Sequence, residues 1–307
     1  MPFERLLKYF IVNLLTSIPA LPYPYQQENL LTEILLFIVG IVVSTFGTLI
    51  GFGGGVFMVP ILIILFQFPI ELAIGTAMTA LLPAALVSSF FNFREKSIDY
   101  VVASLLQFPA MVGTVIGAFL VAYTPVLQMQ ILFSVFVLAV GVYMLGTYKQ
   151  EQKRQRGMMY RLNRMPTSFI RKNHPKHLAY RLNGGLMALF GLCTGTMAGL
   201  FGIGGGFLQT PIMIRAFRIP SQIAISTSLF ILVITSLSGI SSHYWLGHIN
   251  WDKSLPLMLA FAIGALLGKA VRSRNNATQQ SSERLIGIGL VLAGMSVMVH
   301  IFLKYDF

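Results

Sequence analysis

Gly51-Phe52-Gly53-Gly54-Gly55-Val56-Phe57-Met58-Val59-Pro60 lies between apolar runs, and Gly202-Ile203-Gly204-Gly205-Gly206-Phe207-Leu208-Gln209-Thr210-Pro211 stands 151 residues further along. Working outward from the two stretches, Pro69 matches Pro220, and Ala73, Ile74 and Thr76 match Ala224, Ile225 and Thr227. The ungapped comparison of 49–98 with 200–249 gives 16 identities in 50 positions. Gly40 matches Gly191 upstream, and Gly113 and Gly117 match Gly264 and Gly268 downstream. Apolar bias alone aligns leucines and isoleucines. It does not align glycine triplets and prolines, so the chain reads as two homologous halves.

Composition sets the class of those halves. Of 307 residues, 55% are hydrophobic and only 10% charged, with a mean hydropathy of +0.75. A soluble domain carries about 25% charged residues, so this chain is an integral membrane protein. Disorder, collagen-like structure and a secreted disulfide scaffold are excluded. The single cysteine, Cys193, excludes an intramolecular disulfide and any multi-cysteine metal site.

Ten of the 22 basic residues fall between 148 and 183, opposed there only by Glu151. That clustering marks a cytoplasmic loop between two membrane regions and accounts for the net charge of +12 without invoking nucleic acid. The domain reading is a 1–30 N-terminal interfacial segment, a 31–147 first membrane repeat, a 148–183 basic cytoplasmic loop and a 184–307 second membrane repeat. His174 and His177 in the loop lack the partners a metal site needs. Each half holds five apolar segments, the second of them short (55–68 in the first half). The fold class expected is an all-α polytopic membrane protein of 8–10 transmembrane or broken helices in two inverted repeats. If every segment crosses, eight basic residues outside the loop fall inside with it and four fall outside. If the short segment is re-entrant, the split is six and six. The first count follows the positive-inside rule better.

Consecutive glycines in hydrocarbon require a backbone buried in protein or lining a cavity. A helix starting there offers unpaired N–H groups and the positive end of its dipole, a suitable site for an anion. The candidate substrate-binding residues are therefore Gly53, Gly54, Gly55, Gly204, Gly205 and Gly206. The hydroxyls of Thr76, Ser226 and Thr227 and the amide of Gln209 join them as uncharged donors. Gly191, Gly195, Gly199 and the 113/117 and 264/268 pairs are assigned to close helix packing instead. Asn92 and His243, aligned at the ends of the third segments, are assigned to the interfaces, and His300 to structure. No carboxylate lies deep in a segment, which disfavours a cation pathway.

The two motifs, with Pro69, Pro220 and their Ala-Ile-x-Thr followers, resemble the signature of the sulfite exporter TauE/SafE family, also called 4-toluene sulfonate uptake permeases. The resemblance covers nearly the whole chain from about residue 30. It implies a multi-pass transporter of the bacterial inner membrane for sulfite, sulfonates or related anions. The expected function is a secondary transporter, an exporter driven by potential and the substrate gradient. The expected partners are a small anionic substrate and the lipid bilayer, with a homodimer as an assembly and no nucleic acid. No cofactor, metal or catalytic residue is expected. An intramembrane enzyme would need a nucleophile with its base, or metal ligands. A non-transporting receptor or scaffold would not need two buried glycine turns, and a flux assay separates it from a transporter.

Overall fold

The computed structural model describes residues 30–147, 168–173, 178–274 and 279–305. The expected interfacial segment at the N-terminus, His174 and His177 lie outside them. Ten helices and one β-hairpin are found among the described residues. The first half holds α1 (Leu30–Ile50), α2 (Gly55–Ile64), α3 (Ile70–Arg94), α4 (Tyr100–Tyr123) and α5 (Val126–Thr147). The hairpin β1 (Ser168–Asn173) and β2 (Leu178–Asn183) follows. The second half holds α6 (Gly184–Phe201), α7 (Gly206–Arg215), α8 (Ser221–Trp245), α9 (Trp251–Arg274) and α10 (Gln279–Tyr305). The bounds of α2, α3 and α4 recur 151 residues later in α7, α8 and α9. Seven helices are long and apolar enough to cross a membrane. α2, α7 and the apolar part of α10, Gly287–Phe302, are shorter. The protein is an all-α polytopic membrane protein.

Local chemistry sets the helix ends. Pro69 and Pro220 occupy the N-cap positions of α3 and α8. The Asp99 carboxylate accepts from the Val101 and Val102 N–H groups at the start of α4. α2 and α7 stop after ten residues, so the short helix is not the fourteen residues expected from 55–68. Gln67 and Arg218 turn left-handed, with φ of 53° and 54°. The next N–H groups reach back six residues, Phe68 to the Leu62 carbonyl and Ile219 to the Met213 carbonyl, each at 3.0 Å. This closes a loop one residue wider than the five-residue bond of a Schellman stop, and it ends each short helix. Ten residues make a helix of about 15 Å, half of the ~30 Å hydrocarbon core.

Contacts fix the relative direction of the helices. α1 runs parallel to α9: Glu33 pairs with Lys253, Ser44 Oγ donates to the Phe261 carbonyl at 2.6 Å, and Gly268 backs onto Thr45 and Thr48. α3 also runs parallel to α9, since Gly75 meets the His248 carbonyl just before α9, and Glu95 pairs with Lys269 at 2.6 Å near its end. α1 and α3 therefore run in the same sense, and the segment between them returns across the bundle. α3 and α8 run antiparallel, with Ser89 Oγ donating to the Leu229 carbonyl and Met78 against Gly239. α5 and α10 do the same, with Leu138 against Gly294 and Leu145 against Gly287. Equivalent helices of the two halves thus point in opposite directions.

The halves interlock by exchange. α4 lies along α6, and α9 along α1. A Cβ on Gly191, Gly195 or Gly199 would stand 2.1–2.3 Å from the carbonyl oxygens of Leu106, Ala110 and Thr114, and one on Gly113 or Gly117 would meet the α6 backbone equally closely. These glycines bring two backbones together. The outer faces carry exposed Phe108, Leu132, Leu259 and Leu292, as a lipid-facing surface requires.

The basic loop ends in structure that its charge does not announce. β1 and β2 pair with Arg171 opposite Tyr180. Tyr180 and Leu182 are buried in one apolar cluster with Val102, Leu106, Met213 and Phe217. The Tyr180 hydroxyl donates to the Asp99 carboxylate, and Arg171 Nε lies 3.4 Å from the same oxygen. Asp99, placed by the sequence only at a segment end, is fully buried there.

Candidate functional site

The two glycine turns meet. Leu81 and Leu232 are each the twelfth residue of a 25-residue helix, α3 and α8. A Cβ on Gly53 or on Gly204 would press on both of them, at 2.5–3.0 Å. The turns therefore sit at the mid-length of the two central helices. Gly55 faces the Gly202 and Ile203 carbonyls, and Gly206 faces the Gly51 and Phe52 carbonyls. Phe52 and Phe207 meet edge to face at 5.2 Å.

Left-handed backbone makes these turns. Gly51, Gly53 and Gly54 have φ of 86°, 77° and 94°, and Gly202 and Gly204 have 65° and 70°. A side chain is strained there. The copies differ at the N-cap. Gly54 is left-handed and backs onto the Val43 carbonyl, where a Cβ would lie 2.9 Å away. Gly205 is right-handed, φ −60°, and the atoms nearest to its Cβ would be those of the Gln209 amide. Among the described residues, the N–H groups of Gly54, Gly55, Gly204, Gly205 and Gly206 find no acceptor. They open α2 and α7, where helix dipoles favour negative charge.

Side-chain polarity gathers around the second turn. Gln209 is buried beside Gly205. Its Nε2 donates to Thr194 Oγ1 at 3.3 Å, and its Oε1 has no partner among the described residues. Thr210 and Ser228 bond each other at 2.7 Å, and both lie 3.3 Å from the Gly51 carbonyl of the opposite turn. The first-half equivalents of Thr194, Gln209, Thr210 and Ser228 are Val43, Met58, Val59 and Ala77, all apolar. Thr210 is the residue that sequence reasoning misses. The signal was present as a copy-to-copy difference, Gln-Thr where the first half has Met-Val.

Two of the other named hydroxyls are taken up by the loop before α4. Ser226 Oγ pairs with Ser97 Oγ at 2.9 Å, and Thr227 Oγ1 accepts from the Asp99 N–H at 3.1 Å. Both seat the loop before α4 on α8. Thr76 is fully buried, and its Oγ1 has no partner among the described residues. Asn92 and His243 lie near the C-terminal ends of α3 and α8. Both are buried, at 3% and 0% exposure, because the loops after α3 and α8 fold back over them. No cluster of three or more His, Cys, Asp or Glu side chains able to hold a metal occurs among the described residues.

Apolar helices with two glycine-led short helices meeting at the mid-length of the central pair are an arrangement that membrane transporters use. The comparisons agree. The chain belongs to the sulfite exporter TauE/SafE family, whose model matches residues 36–297. It is 27% identical over 277 residues to the probable membrane transporter protein YunE of Bacillus subtilis, covering 86% of this chain and 97% of that one. It is 25% identical over 289 residues to a probable membrane transporter protein of Methanocaldococcus jannaschii, covering 89% and 97%. No solved structure matches the chain.

Proposed function

We propose that the protein is a secondary transporter exporting a small anion, sulfite or another sulfur oxyanion or an organosulfonate, across the bacterial inner membrane. The observation that carries this reading is the meeting of two glycine-led helix N-termini whose N–H groups have no acceptor among the described residues, of which no lysine or arginine is fully buried. Backbone N–H groups hold an oxyanion while leaving its charge uncompensated, so that it can leave again. Gln209 adds an amide N–H donor from the second half alone, and Thr210 and Ser228, whose hydroxyl hydrogens go to each other and to carbonyls, shape the site beside it, so that this half selects among anions. No catalytic residue is assigned. Inside-negative potential favours outward movement of an anion by about 2.3 kcal/mol per charge per 100 mV.

The test is flux. Proteoliposomes of purified protein are loaded with labelled sulfite, sulfate, thiosulfate, sulfoacetate or taurine. At least one anion is expected to leave faster as an inside-negative potential grows. Absence of flux for all of them turns the reading toward a receptor or scaffold.

In this proposal the chain crosses ten times, the short helices α2 and α7 completing their crossings together with the glycine turns that lead into them, the basic loop is cytoplasmic and both termini lie outside. The pairing of Glu95 with Lys269, and of Asp99 with the hairpin, puts these groups on the loop's side. Glu33 and Lys253 lie on the other. A reporter fused after Phe307 is expected to score as extracytoplasmic, and a cytoplasmic score would reverse the arrangement.

A further inference from the structure

His243 closes α8 and His248 lies in the turn before α9. Their rings face each other, Nδ1 to Nδ1, at 3.2 Å. His243 Nε2 lies 3.1 Å from the Gly199 carbonyl of α6. A carbonyl only accepts, so His243 carries its hydrogen on Nε2 and, when neutral, presents Nδ1 as an acceptor. His248 must then donate from Nδ1. Its Nε2 is left as a basic nitrogen with no hydrogen bond among the described residues. The tautomers of both rings follow from one backbone oxygen.

The place of this pair in the fold is as telling as its geometry. The first-half equivalents of His243 and His248 are Asn92 and Ser97, which cannot carry a proton at neutral pH. The His248 carbonyl packs on Gly75, the residue before Thr76, so the turn bears directly on α3. Gly199 belongs to the closely packed α4–α6 seam. Any shift of α3 or α6 against α8 would change the surroundings of both rings. Charged groups on the packed elements are few. α4 and α6 carry none, α3 carries Glu71 near its start and Arg94 at its far end, α7 carries Arg215 at its end, and α9 carries Asp252 and Lys253 at its start and Lys269, Arg272 and Arg274 toward its far end. Lys253 is held by Glu33 of α1 and Lys269 by Glu95.

We propose that the His243–His248 pair is a proton-binding site, loaded and emptied during the transport cycle, so that anion movement in one direction is exchanged for a proton in the other. This rests on the transport reading above. In the step itself, His248 Nε2 takes a proton from water, forming one N–H bond. The imidazolium charge is shared with His243 through the existing Nδ1–H contact. Release breaks the same N–H bond to water. An inward proton and an outward anion move charge in the same electrical sense, so the exchange adds to the drive of the potential. Burial pushes His248 down to about 4. In this conformation the pair is therefore empty near neutral pH. Opening it to water returns His248 toward about 6.5, where it fills.

Two measurements test this. In proteoliposomes holding a pH-sensitive dye, with potential clamped at zero, an anion gradient is expected to move protons in the wild type. His248→Ser and His243→Asn install the residues of the first half. Each is expected to lose the proton signal while still passing anion under an imposed potential. Proton movement that persists in both variants, or anion flux without proton movement in the wild type, overturns the proposal. The second measurement is NMR of 15N-histidine protein. It is expected to find His243 protonated on Nε2 and His248 on Nδ1. His248 protonated on Nε2 at neutral pH overturns the proposal independently of transport. If no anion moves in the wild type, the transport reading falls on that result, and the tautomers still decide the pair.

Discussion

Gly205→Leu is expected to abolish anion flux in a protein that still inserts and purifies as a single species. Gly205 has ordinary right-handed helical backbone, and the three atoms nearest to an added Cβ all belong to the movable amide of Gln209. The fold can therefore absorb the side chain. The space in front of the α7 N-terminus cannot, and Gln209 is pushed from its place beside Thr194. Gly54→Leu, the same change in the other copy, behaves differently. Gly54 sits at φ 94° with its Cβ direction 2.9 Å from the Val43 carbonyl, so a side chain is strained and collides with α1 backbone. It is expected to lower the yield of folded protein before transport can be assayed. Proteoliposome flux beside size-exclusion profiles of the two variants checks the pair. Retained flux in Gly205→Leu would return the second glycine turn to packing.

The largest effect on stability is expected from Gly195→Leu. Its Cβ direction ends 2.1 Å from the Ala110 carbonyl and 2.6 Å from the Ala110 Cα. Extra methylenes in a packed core cost about 1–3 kcal/mol when side chains can give way. Here the obstacle is backbone, so the cost is expected to exceed that range and to part α4 from α6. Gly185→Leu, in the first turn of α6, is the matched control. Its Cβ direction meets only the Asn183 Oδ1, at 3.7 Å. Thermal unfolding in detergent should show Gly185→Leu near the wild type and Gly195→Leu unfolded or unrecoverable. Near-wild-type stability for Gly195→Leu would mean that the α4–α6 seam opens at little cost.

Much of this protein is legible without coordinates, for physical reasons that differ from feature to feature. Membrane residence follows from a charged fraction too low to cover a water-facing surface. The repeat is legible because glycine and proline are chosen by backbone geometry, and the left-handed positions at Gly51 and Gly53 recur at Gly202 and Gly204. Packing glycines are legible from their four-residue spacing, which puts them on one helix face. The hairpin in the basic loop is less so. Leu178, Tyr180 and Leu182 alternate as strand residues do, but ten basic residues around them conceal it. The length of α2 is not legible either. Nothing local in the apolar run after Pro60 marks the left-handed Gln67 that ends the helix.

Residue identity determines which backbone shapes are allowed and which surfaces avoid water, so the sequence by itself determined the class, the two halves and the glycine turns. What lies across from what depends on helices distant in the chain, and that only the tertiary structure decided. Ser226 and Thr227 look like ligands until Ser97 and Asp99 are seen to occupy them. Thr210 and Ser228 look unremarkable until both are found at the Gly51 carbonyl, 159 and 177 residues away. His243 and His248 become a pair only because a left-handed Gly247 folds the chain back between them. A hydroxyl or an imidazole has no fixed role in the chain. Its role is set by the partner opposite it, and here each of those partners is supplied by the packing of the helices.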